Sequence, residues 1–247
     1  MEQKSILIVR GGGDLASGVI HRLYCCGYRV LVLECHKPSA IRRKVSFGEA
    51  VFDGTSAVEG VTGRLISDIA DAEKIWEAKE IPILVDETGE TAKKLKPAAL
   101  IDAILAKKNL GTNKDMASLT VALGPGFEAG KDVDFVIETQ RGHNLGRVIR
   151  KGSATPNTGI PGVIAGYGKE RVIHSPAAGI MHNLSQIGDI VEKDQILARV
   201  DDVPVYASLT GVLRGIIRDG YEVPKGMKIA DIDPRQEQKK NCDTISD

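Results

Sequence analysis

The chain has 247 residues, 42% of them hydrophobic, with 33 basic and 33 acidic side chains and a formal charge of zero. That length accommodates one large domain or two ordinary ones. The balanced charge excludes a field that would draw the whole molecule to nucleic acid or an anionic membrane, so neither is expected as a partner. No stretch reaches the roughly 18 apolar residues of a membrane span, and Met1-Glu2-Gln3-Lys4 lacks a signal peptide's apolar core. A cytoplasmic location is the expectation.

Residues 5–9 form a compact apolar run closed by Gly11-Gly12-Gly13-Asp14, and apolar residues at 15, 16, 19, 20 and 23 then give a helical stripe. Gly27 ends that helix, and Arg29 to Glu34 reads as a second strand. Strand, glycine turn, helix and strand within about 30 residues make a βαβ unit. The segment 38–63 has no clear period but carries Arg42-Arg43-Lys44. A helix is predicted over 68–78, with Ile69, Ala72, Ile75 and Trp76 on one side, and a strand over 81–85. Residues 98–107 read as a further helix, and 118–123 and 133–138 as strands.

The predicted fold class is α/β: a Rossmann-like parallel-sheet domain over 1–140, followed by a small all-β barrel-sandwich hybrid. Between them, 141–170 is a Gly/Pro-rich ordered connector. The β module spans 171–234, where an internal repeat shifted by 32 residues matches Gly179 to Gly211, Gly188 to Gly220, Val191 to Val223, Ala198 to Ala230 and Asp201 to Asp233. Residues 235–247 are polar and expected to fray. Of the four cysteines, Cys25, Cys26 and Cys35 fall in apparent helix and strand interior and are expected to be buried thiols, with Cys242 in the tail.

The sharpest site signal is Gly11, Gly12, Gly13, Asp14 and Leu15, read with Ala16 as GxGxxA. Backbone N–H groups at a helix N-terminus would receive a phosphate, and Glu34 at the end of the second strand would accept from ribose hydroxyls. Asp14 inside the loop would repel that ligand unless it turned to cap the helix. Gly124 and Gly126 would form the opposite rim of a crevice, and Arg42 would reach a phosphate from its loop. Asn144 and Asn157, in the donor-rich connector, would close over the ligand. His143 is the acid–base candidate, without an identifiable carboxylate partner. No metal-ligand spacing occurs.

Four stretches carry a resemblance: ILIVRGGGDLASGVIHRL from Ile6, IRRKVSFGEAVFDG from Ile41, ALGPGFEAGKDVDFVIETQRGHNLGRVI from Ala122, and Thr155-Pro156-Asn157-Thr158-Gly159. With them the chain resembles the YqeB-like family, accessory proteins of selenium-dependent molybdenum hydroxylases. The β module resembles biotinyl and lipoyl domains, although no lysine stands at the half-repeat junction. The resemblance implies an accessory or maturation protein, without catalysis of its own, that handles a molybdopterin dinucleotide cofactor. It implies a molybdenum hydroxylase client as partner and leaves self-association open. Two alternatives remain from the residues: an NAD-dependent oxidoreductase using Glu34 and His143, and a structural adaptor whose glycine loop is empty with Asp14 folded inward.

Overall fold

The computed structural model describes residues 5–159 and 161–246. The leader reading on residues 1–4 therefore lies outside the described residues. The chain divides into two compact units, residues 1–38 with 46–158, and residues 39–45 with 159–247.

In the first unit the elements run β1 (Ile6–Arg10), α1 (Asp14–Cys25), β2 (Arg29–Glu34), α2 (Ala50–Asp53), β3 (Thr55–Val58), β4 (Val61–Ile66), α3 (Ala72–Glu77), β5 (Ile81–Val85), α4 (Glu90–Leu95) and β6 (Ala99–Asp102). They continue as β7 (Thr120–Leu123), β8 (Glu128–Ala129), β9 (Phe135–Ile137), β10 (Val148–Ile149) and β11 (Gly152–Ser153). The main sheet has nine strands in the order β10-β9-β7-β6-β1-β2-β5-β4-β3. Its interior pairs are parallel, while β10 and β3 close the two edges antiparallel. The central strands are apolar along their whole length because both faces are covered: Ile8, Val9, Leu31, Val32 and Leu100 are fully buried.

Two differences from the sequence reading matter. Residues 99–102 are the strand β6, lying between β1 and β7, and not a helix. Its run of apolar residues is too short to separate strand from helix by period, and burial on both sides decides. The helical layer is also thin. Only α1 reaches 12 residues, α3 and α4 have six each, and β6 connects to β7 through a loop with one 3-10 turn at Lys114–Met116. The β7-to-β9 connection is a short hairpin element, β8, which pairs with β11 in a separate two-stranded sheet. The expected Rossmann-like domain, with helices on its crossovers, is corrected to a nine-stranded mixed sheet with one substantial helix.

The second unit contains β12 (Val172–His174), β13 (Gly179–Asn183), β14 (Ile190–Val191), β15 (Ile196–Val200), β16 (Val203–Tyr206), β17 (Gly211–Ile216), β18 (Glu222–Val223) and β19 (Lys228–Asp233). They form two four-stranded antiparallel sheets, β12-β19-β17-β14 and β16-β15-β13-β18. The sequence offset reappears in space: β13, β14 and β15 map onto β17, β18 and β19, so each sheet draws strands from both halves. Neither half buries its own apolar face. Met181, Leu197, Val200 and Val205 from one sheet meet Val212, Leu213, Ile229 and Ile232 from the other in one core. The two sheets share no strand pairing, so the expected barrel-sandwich hybrid is corrected to an open sandwich.

The connector and tail also differ from their predicted boundaries. Residues up to 158 group with the α/β unit, because the Glu138 carboxylate accepts from the Thr155 N–H at 2.8 Å and hydroxyl at 2.7 Å. Ala154 packs with Ala122, Phe127 and Val136. The described part of the tail is packed: residues 236–241 form a 3-10 turn and Cys242 is buried in the sandwich core, while residue 247 lies outside the described residues.

Candidate functional site

The carboxyl ends of the parallel strands bring most of the sequence-predicted residues to one edge. Gly11 adopts φ 95° and its N–H donates to Leu33 O at 2.8 Å. Gly12 is the most constrained of the three loop glycines. Its N–H donates to Glu34 Oε2 at 2.6 Å, and its carbonyl accepts from Gly48 N, Ser46 Oγ and Ser17 Oγ. A Cβ at Gly12 would stand 2.8 Å from Gly48 N. Gly13 is the N-cap of α1 and faces open space. Asp14 begins the helix, and Leu15 is 51% exposed.

Glu34 thus occupies the loop that a phosphate would enter. Its other oxygen accepts from Cys35 N at 2.7 Å, so both carboxylate oxygens are engaged on backbone donors. The thiol of Cys35 is pushed up to about 12, by burial first and by the Glu34 carboxylate second.

Among the described residues, the loop after β6 lies against both glycine rims: a Cβ on Gly11 would touch Ala103 O and Ile104, and one on Gly126 would strike the Lys107–Lys108 backbone at 2.6 Å. Gly124, at φ 75°, lies against Leu105 and Thr139. Leu105 and Lys107 themselves take positive φ, 58° and 61°. His143 is exposed and has no hydrogen-bond partner among the described residues, Asn144 is exposed with its carbonyl accepting from Arg147 N, and Asn157 is exposed. Arg42 belongs to the other unit, where it holds the C-terminal segment.

Three more carboxylates of this edge, Asp86, Glu138 and Asp102, are used in the same way as Glu34. Asp86, after β5, accepts from Gly89 N, Glu90 N and Thr91 N. Burial works to raise its pKa, but these N–H donors outweigh it and hold the carboxyl below its usual range. Glu138, after β9, is likewise lowered: burial opposes, and the N–H groups of Gln140 and Thr155 prevail. Asp102, at the end of β6, is 2% exposed and raised by burial. It accepts from the Thr112 hydroxyl at 2.6 Å, which in turn accepts from Arg10 Nη1. Arg10, 1% exposed, also donates to Glu87 O at 2.6 Å. Each of these four acids therefore holds backbone or side chains of the sheet edge.

The opposite, amino-terminal edge is different. Between the starts of β2 and β5 lies an open cavity of about 420 Å³ lined by Tyr24, Cys25, Tyr28, Arg29, Trp76 and Lys79, among others. The chain contains one Trp, five Tyr and four Phe, and its single Trp and two of its Tyr meet here. Two of their polar tips are satisfied within the unit. Tyr24 OH donates to Lys79 O at 2.8 Å and Trp76 Nε1 to Val30 O at 2.9 Å. Arg29 forms a bidentate pair with Glu73 while its guanidinium lies 5.4 Å from the Trp76 ring centre. The cavity wall combines these aromatic rings with the charged side chains of Glu77, Lys79 and Glu80. Sequence reading missed this site because Trp76 registers as one more apolar position on the stripe of the 68–78 helix. The gathering of scarce aromatics around one charged pair shows only in three dimensions.

Cys25 and Cys26 also differ from expectation. Both are exposed, at the end of α1, and Cys25 Sγ lies 3.8 Å from His21 Nδ1. Among the described residues, no group of three or more His, Cys, Asp or Glu side chains is placed to hold a metal ion, and no helix is long and apolar enough to cross a membrane.

No family model matches the chain. It is 51% identical over 232 residues to the uncharacterized protein YqeB of Escherichia coli K12, covering 94% of this chain and 43% of that relative. The chain thus spans less than half the length of the curated relative it matches. Among solved structures, it is similar to the product-bound ectoine utilization protein EutE (DoeB) from Ruegeria pomeroyi, at 11% identity, 93% and 85% coverage of the two chains and a TM-score of 0.29. It is also similar to an aspartoacylase family protein from Mesorhizobium loti, at 12% identity, 94% and 85% coverage and a TM-score of 0.29. Scores at that level establish neither a common fold nor a common activity.

The functional expectation is corrected at the glycine loop itself. The loop meant for a molybdopterin dinucleotide or NAD has its central N–H bonded to Glu34. The oxidoreductase alternative required that same carboxylate on a ribose, and it falls with the dinucleotide. For the adaptor alternative, with its empty glycine loop, the acid that bonds the loop's central N–H is Glu34.

Proposed function

We propose that this chain is a protein-recognition module that binds an extended segment of a partner protein through the groove of Tyr24, Tyr28 and Trp76. The supporting observation is the concentration of the chain's only Trp and two of its five Tyr around one open 420 Å³ cavity. Aromatic residues and Arg dominate the energetics of protein interfaces because they bury a large area at small entropic cost. Here the Tyr24 and Trp76 tips are already engaged, so those two rings contribute mainly contact area. That composition suits an aromatic or aliphatic side chain carried on a peptide, with the charged rim of Glu77, Lys79 and Glu80 setting its flanks. Tyr28, 48% exposed, presents the most accessible aromatic face and is the anchor of this reading.

The test is selection of a random peptide library on the whole protein, with a Tyr28→Ala variant as counter-target. Enriched peptides sharing an aromatic or aliphatic anchor, with binding weakened in the variant, support the assignment. Enrichment without a shared anchor, or binding indifferent to Tyr28, overturns it.

A further inference from the structure

The hairpin of β9 and β10 concentrates positive charge on an exposed turn. Residues 139–151 hold Arg141, Arg147, Arg150 and Lys151, with His143 among them and no Asp or Glu. Backbone bonds give the tip one shape: Gly146 N donates to Glu138 O at 2.9 Å, Leu145 N to Gly142 O at 3.2 Å and Arg147 N to Asn144 O at 2.9 Å. The acid at the hairpin's base, Glu138, is 5% exposed and engaged on Gln140 N and Thr155. Elsewhere in this unit cations are neutralised beside an acid, as Lys114 is by Asp134 and Lys131 by Glu128. Arg141, Arg147 and Lys151 are exposed and enter no such pair among the described residues. Lys107 and Lys108, also exposed, extend the charge. Their backbone lies against Gly126 while Thr139 lies against Gly124, so the β6 loop and the hairpin flank one turn.

Two apolar side chains stand among these cations: Leu145 is 50% exposed and Val148 49%. Apolar contact area ringed by positive charge is complementary to a segment that mixes acids with apolar residues. The edge strand β10 pairs with β9 on one side, and its other side offers backbone groups to such a segment. Like charges along the edge work against a second copy pairing there. Base stacking is poorly served, because Phe135 is the hairpin's one Phe, Tyr or Trp and Arg150 lies over its ring at 5.1 Å. We propose that the β9–β10 hairpin, together with Lys107 and Lys108, is a docking surface for an acidic segment of a partner protein, with Leu145 as its apolar contact. The surface is separate from the aromatic groove. The hairpin tip follows the carboxyl end of β9, whereas the groove lies at the starts of β2 and β5.

The experiment titrates the full chain, at fixed ionic strength and by fluorescence anisotropy, with two labelled peptides of equal charge. One is Glu-rich with spaced Leu residues, and the other has Ser in place of each Leu. The proposal expects saturable binding of the leucine peptide, with the serine peptide weaker. Binding should fall about tenfold in the double variant Arg141→Gln with Arg147→Gln, and about fivefold in Leu145→Ser. It should be unchanged in Lys94→Gln, a surface control on α4, and in Tyr28→Ala, which separates this surface from the groove. The hairpin substitutions fall at exposed positions, so thermal midpoints should stay at the wild-type value. No saturable binding, equal affinity for the two peptides, or affinity indifferent to the hairpin variants overturns the proposal. So does tighter binding of a single-stranded oligonucleotide or of phosphatidylserine vesicles than of the leucine peptide.

Discussion

The carboxylate of Glu34 reaches back from the end of β2 to accept the N–H of Gly12 at 2.6 Å. A charged acceptor on a partly buried N–H is among the stronger hydrogen bonds a fold makes, and losing it strands the donor. Glu34→Ala is expected to lower stability by about 2 kcal/mol in urea unfolding. An unchanged midpoint would show that the loop holds its shape without the acid.

The neighbouring glycines should respond in opposite ways. At Gly12 an added Cβ meets the backbone of Gly48 at 2.8 Å, where nothing flexible can move aside. Gly13 has open space and φ −66°. Gly12→Ala should therefore cost more than about 2 kcal/mol. Gly13→Ser should be neutral or stabilising by up to about 1 kcal/mol through a new N-cap hydroxyl. Equal effects at both positions would contradict the geometry.

Asp86 gives a pH signature. Its carboxyl is held low by the N–H groups at the start of α4. A depressed carboxylate contributes stability that is complete above its unfolded value, near about pH 4, and is lost as pH falls through the folded value. Unfolding followed between pH 5 and pH 2 should show wild type losing stability faster than Asp86→Asn. Parallel curves would remove Asp86 from the account.

Thiol chemistry should separate the four cysteines. Cys25 and Cys26 are exposed, whereas Cys35 is pushed up to about 12 and Cys242 is buried. The thiolate is the reactive form. N-ethylmaleimide with peptide mass mapping should label Cys25 and Cys26 first. Cys35 should label faster in Glu34→Gln, since the carboxylate is one of the causes of its shift. Early labelling of Cys35 in the wild type would contradict this placement.

Much of the backbone plan was legible from residues. The strands at 29–34 and 81–85 and the 32-residue repeat each rest on a strong local pattern, and the structure places strands there. What failed did so for physical reasons. Residues 98–107 share the apolar density of a helix, and only a position between β1 and β7 makes 99–102 a strand. The hairpin of β3 and β4 turns at Glu59 and Gly60, both at positive φ, but its first strand, Thr55–Val58, is too short and too polar to stand out as a strand. The glycine loop was located correctly, but its occupant depends on a carboxylate 22 residues away turning inward. Arg42 was placed on the wrong unit because residues 39–45 join the sandwich, a long-range association that no local pattern encodes.

The groove can be read directly, because Trp76 is the chain's only tryptophan and its fluorescence reports on that site alone. The decisive measurement is a fluorescence titration of the whole protein with a library-selected peptide, wild type beside Tyr28→Ala. The account predicts a saturable change in Trp76 emission and about tenfold weaker binding in the variant, as for an interface anchor worth more than about 1 kcal/mol. Binding that leaves Trp76 emission unchanged, or equal affinity in the two proteins, would contradict it.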